Sequence, residues 1–442
     1  MNLLVKPSAP LRGTLILPGD KSISHRAVIF GCMAHGVTTI ENLLEAEDVL
    51  RTVKIFKQLG VDIKRVKTKR RVVWKIKGKG LAGFKAPRGV LYCGNSGTTM
   101  RLMMGLLSGL PFKSRLTGDD SLNRRPMDRV VRPLMQMGAD IRSIRKNRER
   151  IIMINGKSLH GMRYRSPVAS AQVKSALLLA GLTHQEKISV QEPVLSRDHT
   201  ERMLAGFGVD VARRGLRVDL GKQRKLRGQR VIVPGDPSSA AFFVVSALIN
   251  PHATTQLKLR RVGLNPTRIG FLTILEKMGG TIKVQKRRLI CGEPVGDLVV
   301  KPCRLHPVSV QGKIIPSLID EIPILTVAMS QAAGTSSFQG VGELRVKETD
   351  RIETLQANLP RYGIDMASRQ NSFWIKPRQL RGNIGKSFGD HRIAMSLAIL
   401  GTVAPGSSWV MQTECIKTSF PQFFACLQSI GVKFKLFKRK TL

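Results

Sequence analysis

The stretch LGVDI, residues 59–63, closes a helix-like segment on a hydrophobic residue, turns at Gly60 and enters a short run of β character. The same ending returns as MGADI (137–141), FGVDV (207–211), MGGTI (278–282), YGIDM (362–366) and IGVKF (430–434). Each Gly reads as a left-handed cap that turns a helix into a strand. Six apolar segments alternate strictly with these endings, each with small or polar residues ahead of an Ala, Leu and Met stripe. They are DKSISHRAVIFGCMAHG (20–36), GNSGTTMRLMMGLLSG (94–109), SAQVKSALLLAG (170–181), GDPSSAAFFVVSALI (235–249), IDEIPILTVAMSQAAG (319–334) and GDHRIAMSLAILG (389–401). Measured at Asp20, Asn95, Ser170, Asp236, Asp320 and Asp390, successive members lie 66–84 residues apart.

An apolar helix, a second helix closed by Gly, and short strands thus form one unit used six times. Units of this size exceed the usual solenoid period, which favours a few compact lobes over an open array. Two lobes of three units each is the economical arrangement. The apolar helices are rich enough for burial all round, whereas the second helices carry charge and are expected outside. At 442 residues the chain is too long for one ordinary core, and its 42% hydrophobic content supplies material for more than one.

The longest apolar run, Ala240 to Val245, is far too short for a membrane span. The N-terminal MNLLVKPSAPLRG meets Pro7 and Pro10 early, so no signal peptide is expected. None of the six cysteines forms a C-x-x-C pair, which suggests neither a zinc site nor a disulfide framework and fits a reducing cytoplasm.

Lys and Arg number 73 against 30 Asp and Glu, a formal net charge of +43. Nucleic-acid binding and steering of small anions both exploit such a field. The basic runs KRVKTKRR (64–71), RSIRKNRER (142–150), RRGLRVDLGKQRKLRGQR (213–230), KVQKRR (283–288) and KFKLFKRK (433–440) mostly follow the second helix of a unit. They alternate with Val, Ile and Leu as hairpins with one wet face do. Aromatics are few, and no nucleic-acid-binding motif appears. Solvated hairpin faces explain the runs better than a specific nucleic-acid groove.

Helix starts offer unpaired N–H groups and a positive dipole end, so polar residues gathered there suit phosphate and carboxylate. GDKSISHR (19–26) brings Lys21, Ser22 and Arg26, but Asp20 stands where a nucleotide P-loop requires its second Gly. For that stretch alone, a capped helix with exposed charges is the alternative. Gly97 admits close approach to the backbone, with Asn95 organising the turn and Arg101 pairing inside the lobe. Of Arg124 and Arg125, one is expected in solvent while the other clamps an anion with its planar fork. Ser170 and Gln172 are neutral donors at a helix head, although a plain N-cap explains Ser170 as well. Arg197 lies beside a capping Asp198, and the start at Asp236 reads as capping only.

Asp320 and Glu321 are flanked by apolar residues. Carboxylates at a buried edge cost free energy unless paired or needed, and burial raises their pKa, which points to a general base with helix capping as the alternative. Lys347, Glu348 and Arg351 share one turn, Arg392 opens the last apolar helix and Lys417 precedes Pro421. No nucleophile dyad is apparent, and His25, His199 and His391 lack the spacing of a metal site. The sum suits two small, heavily anionic substrates joined by proton transfers, with no metal and no other cofactor.

LPGDKSISHRA, GNSGTTMR, SLNRRPM, SAQVKSALLLAGL, PGDPSSAAFF, LIDEIPIL, ELRVKETDRI and GDHRIAM resemble, in order, the signature segments of the 5-enolpyruvylshikimate-3-phosphate (EPSP) synthase family. The resemblance runs from about Leu17 to about Pro421 and is nearer the bacterial second class than the plant-like first class. It implies an α/β fold, a two-lobed inside-out α/β barrel of six β-α-β-α-β-β units. Residues 1–20 plus 236–442 would form lobe one and 21–235 lobe two, with the substrates in the cleft between them. The implied reaction moves the enolpyruvyl group of phosphoenolpyruvate to the 5-hydroxyl of shikimate 3-phosphate through a tetrahedral intermediate, in a monomer.

On that resemblance Lys21, Ser22, Arg26, Ser170, Gln172, Arg197, Asp320 and Lys347 hold shikimate 3-phosphate. Lys21, Gly97, Arg125, Gln172, Arg351, Arg392 and Lys417 hold phosphoenolpyruvate. Asp320 takes the 5-hydroxyl proton, while Lys21 and Glu348 move protons at the methylene carbon and the leaving phosphate. Gly97 stands where some second-class members carry Ala, and the Lys417 motif KTSFP matches the first class only with a gap. A related enolpyruvyl transferase family, acting on UDP-N-acetylglucosamine, places a reactive Cys near SLNRRPM. Residues 121–127 contain none here.

Overall fold

The computed structural model of the chain describes residues 1–68, 71–146 and 149–438. Positions 69–70, 147–148 and 439–440 of three basic runs lie outside the described residues. In chain order the α-helices are α1 (Lys21–Met33), α2 (Glu47–Gln58), α3 (Gly97–Ser108), α4 (Asp120–Arg124), α5 (Asp128–Gln136), α6 (Ala171–Gly181) and α7 (His199–Gly206). They continue with α8 (Pro237–Leu248), α9 (Gly270–Lys277), α10 (Ile322–Met329), α11 (Arg351–Asn358), α12 (His391–Gly401) and α13 (Phe423–Ser429).

The apolar segments become α1, α3, α6, α8, α10 and α12, and burial explains their composition. Every residue of α8, and every residue of α1 from Ile23 onward, is buried. The second helices bury one face only: α2 hides Val49, Val53, Ile55 and Phe56 while Lys54 and Lys57 are exposed. All six glycines of the repeated ending adopt positive φ, between 78° and 95°. A side chain there would be strained, so the spacing of those glycines encodes the turns.

Among the described residues the strands form six four-stranded sheets with one common order. In each, a strand runs parallel to the strand that follows an apolar helix, and in five of the six that strand pairs antiparallel with a hairpin. Arg230–Ile232 lies parallel to His35–Glu41, which pairs antiparallel with Val72–Lys79, and Val72–Lys79 pairs in turn with Asp62–Lys67. Three strands placed by non-local pairing complete the set. The strands just before α1 and α8 are exchanged: Arg12–Ile16 joins Gln256–Gly263, and Arg230–Ile232 joins the sheet after α1. The sixth sheet takes its missing strand from the N-terminus, where Asn2–Val5 lies between Ser408–Met411 and Phe434–Phe437.

Two compact units result. The first comprises Met1–Pro18, Pro234–Leu289 and the chain from Pro294 onward; the second comprises Gly19–Val233 and Ile290–Glu293. These differ from the expected divisions at 20/21 and 235/236 by two residues, and the stretch 236–442 is interrupted. Ile290–Glu293 joins the second unit because its atoms bond there. His199 Nδ1 meets Glu293 Oε1 at 2.8 Å, and Arg202 Nη1 donates to the Gly292 carbonyl at 3.1 Å.

Each unit has its own core. In the first, Phe243 meets Phe420 and Phe423 with ring centroids 6.0 Å apart; in the second, Phe30 meets Phe207 at 5.8 Å. Each such buried ring contributes roughly 1.5–3 kcal/mol over exposure. This packing holds the polar helix starts in place.

Candidate active site

In the second unit, side chains tie the starts of α1, α3 and α6 into a closed ring. His25 Nδ1 on α1 meets Thr52 Oγ1 at 2.8 Å, and Thr52 meets Thr99 Oγ1 on α3 at 2.8 Å. Gln172 Nε2 on α6 donates to Thr98 Oγ1 at 3.1 Å, and its Oε1 accepts from Arg101 Nη1 at 2.5 Å. Arg26 Nη2 on α1 closes the circuit by donating to Ser175 Oγ on α6 at 2.8 Å. Side-chain oxygens cap these helices: Asp20 for α1, Ser96 for α3 and Ser170 for α6.

On this ring Lys21 is half-buried, with Nζ 2.5 Å from Asp48 Oδ2, a partner that sequence reading missed because Asp48 looks like an ordinary first-turn acid of α2. Ser22 is half-buried and its carbonyl accepts from Arg26 Nη1 at 3.0 Å. Arg26 is only 3% exposed and also donates through Nε to Thr200 Oγ1 at 2.7 Å. Burial pulls its pKa down to about 10, so it stays charged at neutral pH. Three of its five N–H groups donate within the protein.

Arg124 is the exposed member of its pair and Arg125 the held one. Arg125 Nη2 donates to Asn95 Oδ1 at 2.7 Å, and Asn95 Nδ2 donates to Asp119 Oδ2 at 2.8 Å. Gly97 fits between two guanidinium groups: a Cβ there would lie 3.2 Å from Arg101 Nη1 and 3.3 Å from Arg125 Nη1. Arg197 is half-buried in the loop before α7.

Ser24 and His25 serve the scaffold. Ser24 Oγ accepts from Leu44 N at 3.0 Å, and both side chains are fully buried. Burial, then Lys21 and Arg26, press the His25 pKa well below 6.5, with Asp20 pulling the other way. The folded state therefore keeps His25 neutral while the unfolded chain protonates it below about pH 6.5. Its contribution to stability is complete above that pH and is lost as pH falls from there toward the folded pKa. In thermal melts between about pH 7.5 and about pH 5, His25→Gln should lose less stability than the wild type. Equal slopes would show that His25 does not carry the effect.

In the first unit, carboxylates and cations alternate. Arg351, 1% exposed, directs Nε to Asp390 Oδ2 at 2.8 Å, Nη2 to Glu348 Oε2 at 2.7 Å and Nη1 to Asp320 Oδ1 at 3.5 Å. Burial opposes its charge, but Asp390, Glu348 and Asp320 outweigh burial and raise its pKa. Lys347 Nζ lies 3.3 Å from Asp320 Oδ1, and Arg392 Nη1 donates to the Asp320 carbonyl at 2.9 Å. Asp390 also caps α12, its Oδ1 accepting from Arg392 N at 2.8 Å.

Asp320 and Glu321 are both ion-paired, which offsets the cost of placing carboxylates at a buried edge. Glu321, 1% exposed, faces Arg392 Nη1 at 3.4 Å and accepts a hydrogen bond from Ser238 Oγ. It occupies the N-cap position of α10 without a side-chain cap bond, so capping does not account for it. Lys417 is exposed at the end of a 3₁₀ turn, Thr413–Thr418. Among the described residues no group of His, Cys, Asp and Glu side chains could hold a metal ion, and no helix is long and apolar enough to cross a membrane. Cys93 is buried, which pushes its thiol far above the usual range and away from the reactive thiolate.

The family model for EPSP synthase (3-phosphoshikimate 1-carboxyvinyltransferase) matches residues 5–427. A 3-phosphoshikimate 1-carboxyvinyltransferase of Syntrophomonas wolfei is 48% identical over 423 residues, covering 95% of this chain and 97% of the relative. One from Geotalea uraniireducens is 47% identical over 431 residues, covering 97% and 99%. Among solved structures, EPSP synthase from Acinetobacter baumannii matches with a TM-score of 0.86 at 40% identity, covering 98% of this chain and 99% of that one. The enolpyruvyl transferase NikO from Streptomyces tendae shares the fold, with a TM-score of 0.77 at 15% identity and 98% coverage of both chains.

Proposed function

Because this chain belongs to the EPSP synthase family, we propose that the residues assembled in its two units divide the work of the family's reaction among themselves. That reaction transfers the enolpyruvyl group of phosphoenolpyruvate to the 5-hydroxyl of shikimate 3-phosphate and releases phosphate, on the route to chorismate and the aromatic amino acids. The oxygen of the 5-hydroxyl bonds to C2 of phosphoenolpyruvate while C3 gains a proton. The resulting tetrahedral intermediate then loses phosphate as C3 gives a proton back.

Asp320 accepts the 5-hydroxyl proton, and Lys21 and Glu348 handle the protons of C3 and the departing phosphate. The observation that carries this reading is that Asp320 and Glu348 contact one guanidinium, Arg351, with Lys347 beside Asp320. Two carboxylates held by fixed cations can exchange protons with a substrate without moving. Shikimate 3-phosphate takes Ser22, Arg26, Ser170, Arg197 and Lys347, with Gln172 between the substrates. Phosphoenolpyruvate takes Arg125, Arg351, Arg392 and the backbone at Gly97, with Lys21 serving both. Lys417, exposed on its 3₁₀ turn, completes the phosphoenolpyruvate set. The enzyme acts as a monomer in the cytoplasm and uses no cofactor, because fixed ammonium and carboxylate groups suffice for addition and elimination.

Two polyanions repel each other, and cations fixed before the reaction offset that repulsion at no reorganisation cost. Purified protein should release phosphate from phosphoenolpyruvate only when shikimate 3-phosphate is present. Release driven equally by UDP-N-acetylglucosamine would overturn the assignment.

A further inference from the structure

Lys174 lies one helical turn beyond the capping Ser170 on α6, where its side chain is 1% exposed. Its Nζ sits 2.7 Å from Glu192 Oε2 and 2.7 Å from Glu201 Oε1, carboxylates whose side chains are 2% and 6% exposed. A chain with 73 basic and only 30 acidic residues thus commits two carboxylates to one buried lysine. A buried ionic cluster is weak evidence for stability, because well-packed apolar side chains of similar volume serve as well or better. What such a cluster fixes is geometry.

The geometry it fixes is specific. Glu192 opens the loop between strand Ile188–Gln191 and α7, and its carboxylate accepts from Ser196 N at 3.3 Å and from Ser196 Oγ. Ser196 directly precedes Arg197. Glu201 follows Thr200, whose Oγ1 accepts from Arg26 Nε and meets Ser175 Oγ at 2.6 Å, and Ser175 is the neighbour of Lys174 on α6. Glu201 also acts electrostatically on Arg26. The charges of Lys174, Arg26, Glu192 and Glu201 sum to zero. One ammonium therefore clamps the head of α6, the Arg197 loop and the first turn of α7 to each other.

We infer that Lys174 is a positioning residue for shikimate 3-phosphate, holding Ser170, Arg197 and Arg26 in register through Glu192 and Glu201. The inference rests on the assignment of those three residues to that substrate.

Steady-state kinetics with each substrate varied in turn test it on the full chain. Lys174→Met removes the clamp, and Lys174→Met/Glu201→Gln removes it while restoring the native charge sum, which guards against a variant that fails to fold. The expected result for the double variant is a KM for shikimate 3-phosphate raised about tenfold or more, one factor of ten being about 1.4 kcal/mol of binding. The KM for phosphoenolpyruvate should stay within about twofold, with a cooperative thermal transition retained. A merely structural role would lower the active fraction and leave both KM values alone, or raise both alike, and either result overturns the inference. Ser170→Ala and Arg197→Met serve as controls. If they raise the KM for shikimate 3-phosphate and the Lys174 variants do not, positioning fails and the substrate assignment stands. If the controls leave it unchanged, the assignment falls and takes the inference with it.

Discussion

Asn in place of Asp320 should cut kcat by roughly 10²–10⁴-fold while the affinity for shikimate 3-phosphate changes little, as the loss of a general base requires. Asn preserves the shape of the side chain and an oxygen that can accept from Lys347 and Arg351, which lie 3.3 and 3.5 Å from Asp320 Oδ1. The main-chain carbonyl that accepts from Arg392 is untouched. What disappears is the ability to take a proton. Phosphate release measures kcat, and calorimetric titration of shikimate 3-phosphate measures binding. Near-normal turnover would remove Asp320 from the chemistry; parallel losses in turnover and affinity would make it a binding group.

The second large effect concerns stability. Arg351→Met should cost about 3–5 kcal/mol, the range for breaking a buried ion pair by removing one partner. Asp390, Glu348 and Asp320 all face this guanidinium, and Asp390 is fully buried. Met fills much of the volume but leaves those acids without their shared cation. Carboxylates left facing one another without that cation bind protons more readily when folded than when unfolded, so the deficit should shrink as pH falls. Arg351→Lys, which keeps the charge and loses the planar fork, should lie between the two. Thermal melts at neutral and mildly acid pH read all three proteins. An unchanged midpoint for Arg351→Met would show that the acids find other partners.

What was legible in the sequence was local. A helix ending in Gly needs only its own few residues to declare itself, and all six such glycines hold positive φ. Alternation in the basic runs likewise announced hairpins, except at 433–440, where Phe434–Phe437 is a single strand pairing with the distant Asn2–Val5 and no local partner follows it among the described residues. The exchanged strands Arg12–Ile16 and Arg230–Ile232 were illegible because their partners lie far off in sequence and no local pattern names them.

The site divides in the same way. Helix starts marked Lys21, Arg26, Gln172, Asp320 and Arg392, and the planar fork of one of two adjacent arginines singled out Arg124 or Arg125. Asp48 and Asp390 were missed as anything more than ordinary first-turn or capping acids, although one pairs Lys21 and the other joins Arg351 to the start of α12. Arg351 was expected as a ligand-facing cation. Its near-complete burial makes it first an organiser of carboxylates, which composition alone does not reveal.

The N-terminal strand Asn2–Val5, seated between Ser408–Met411 and Phe434–Phe437, has a consequence for the order of events during synthesis. Domains generally fold as units while the chain is being made. Nearly all of the second unit is continuous, from Gly19 to Val233, and its three sheets are complete before α8 is translated. Asn2–Val5, a strand of the other unit, is made before the whole of that continuous stretch, yet both of its neighbours are made after it. Its two edges therefore stay unpaired until residues 408–437 have been translated, and a truncation before Ser408 leaves it without either neighbour.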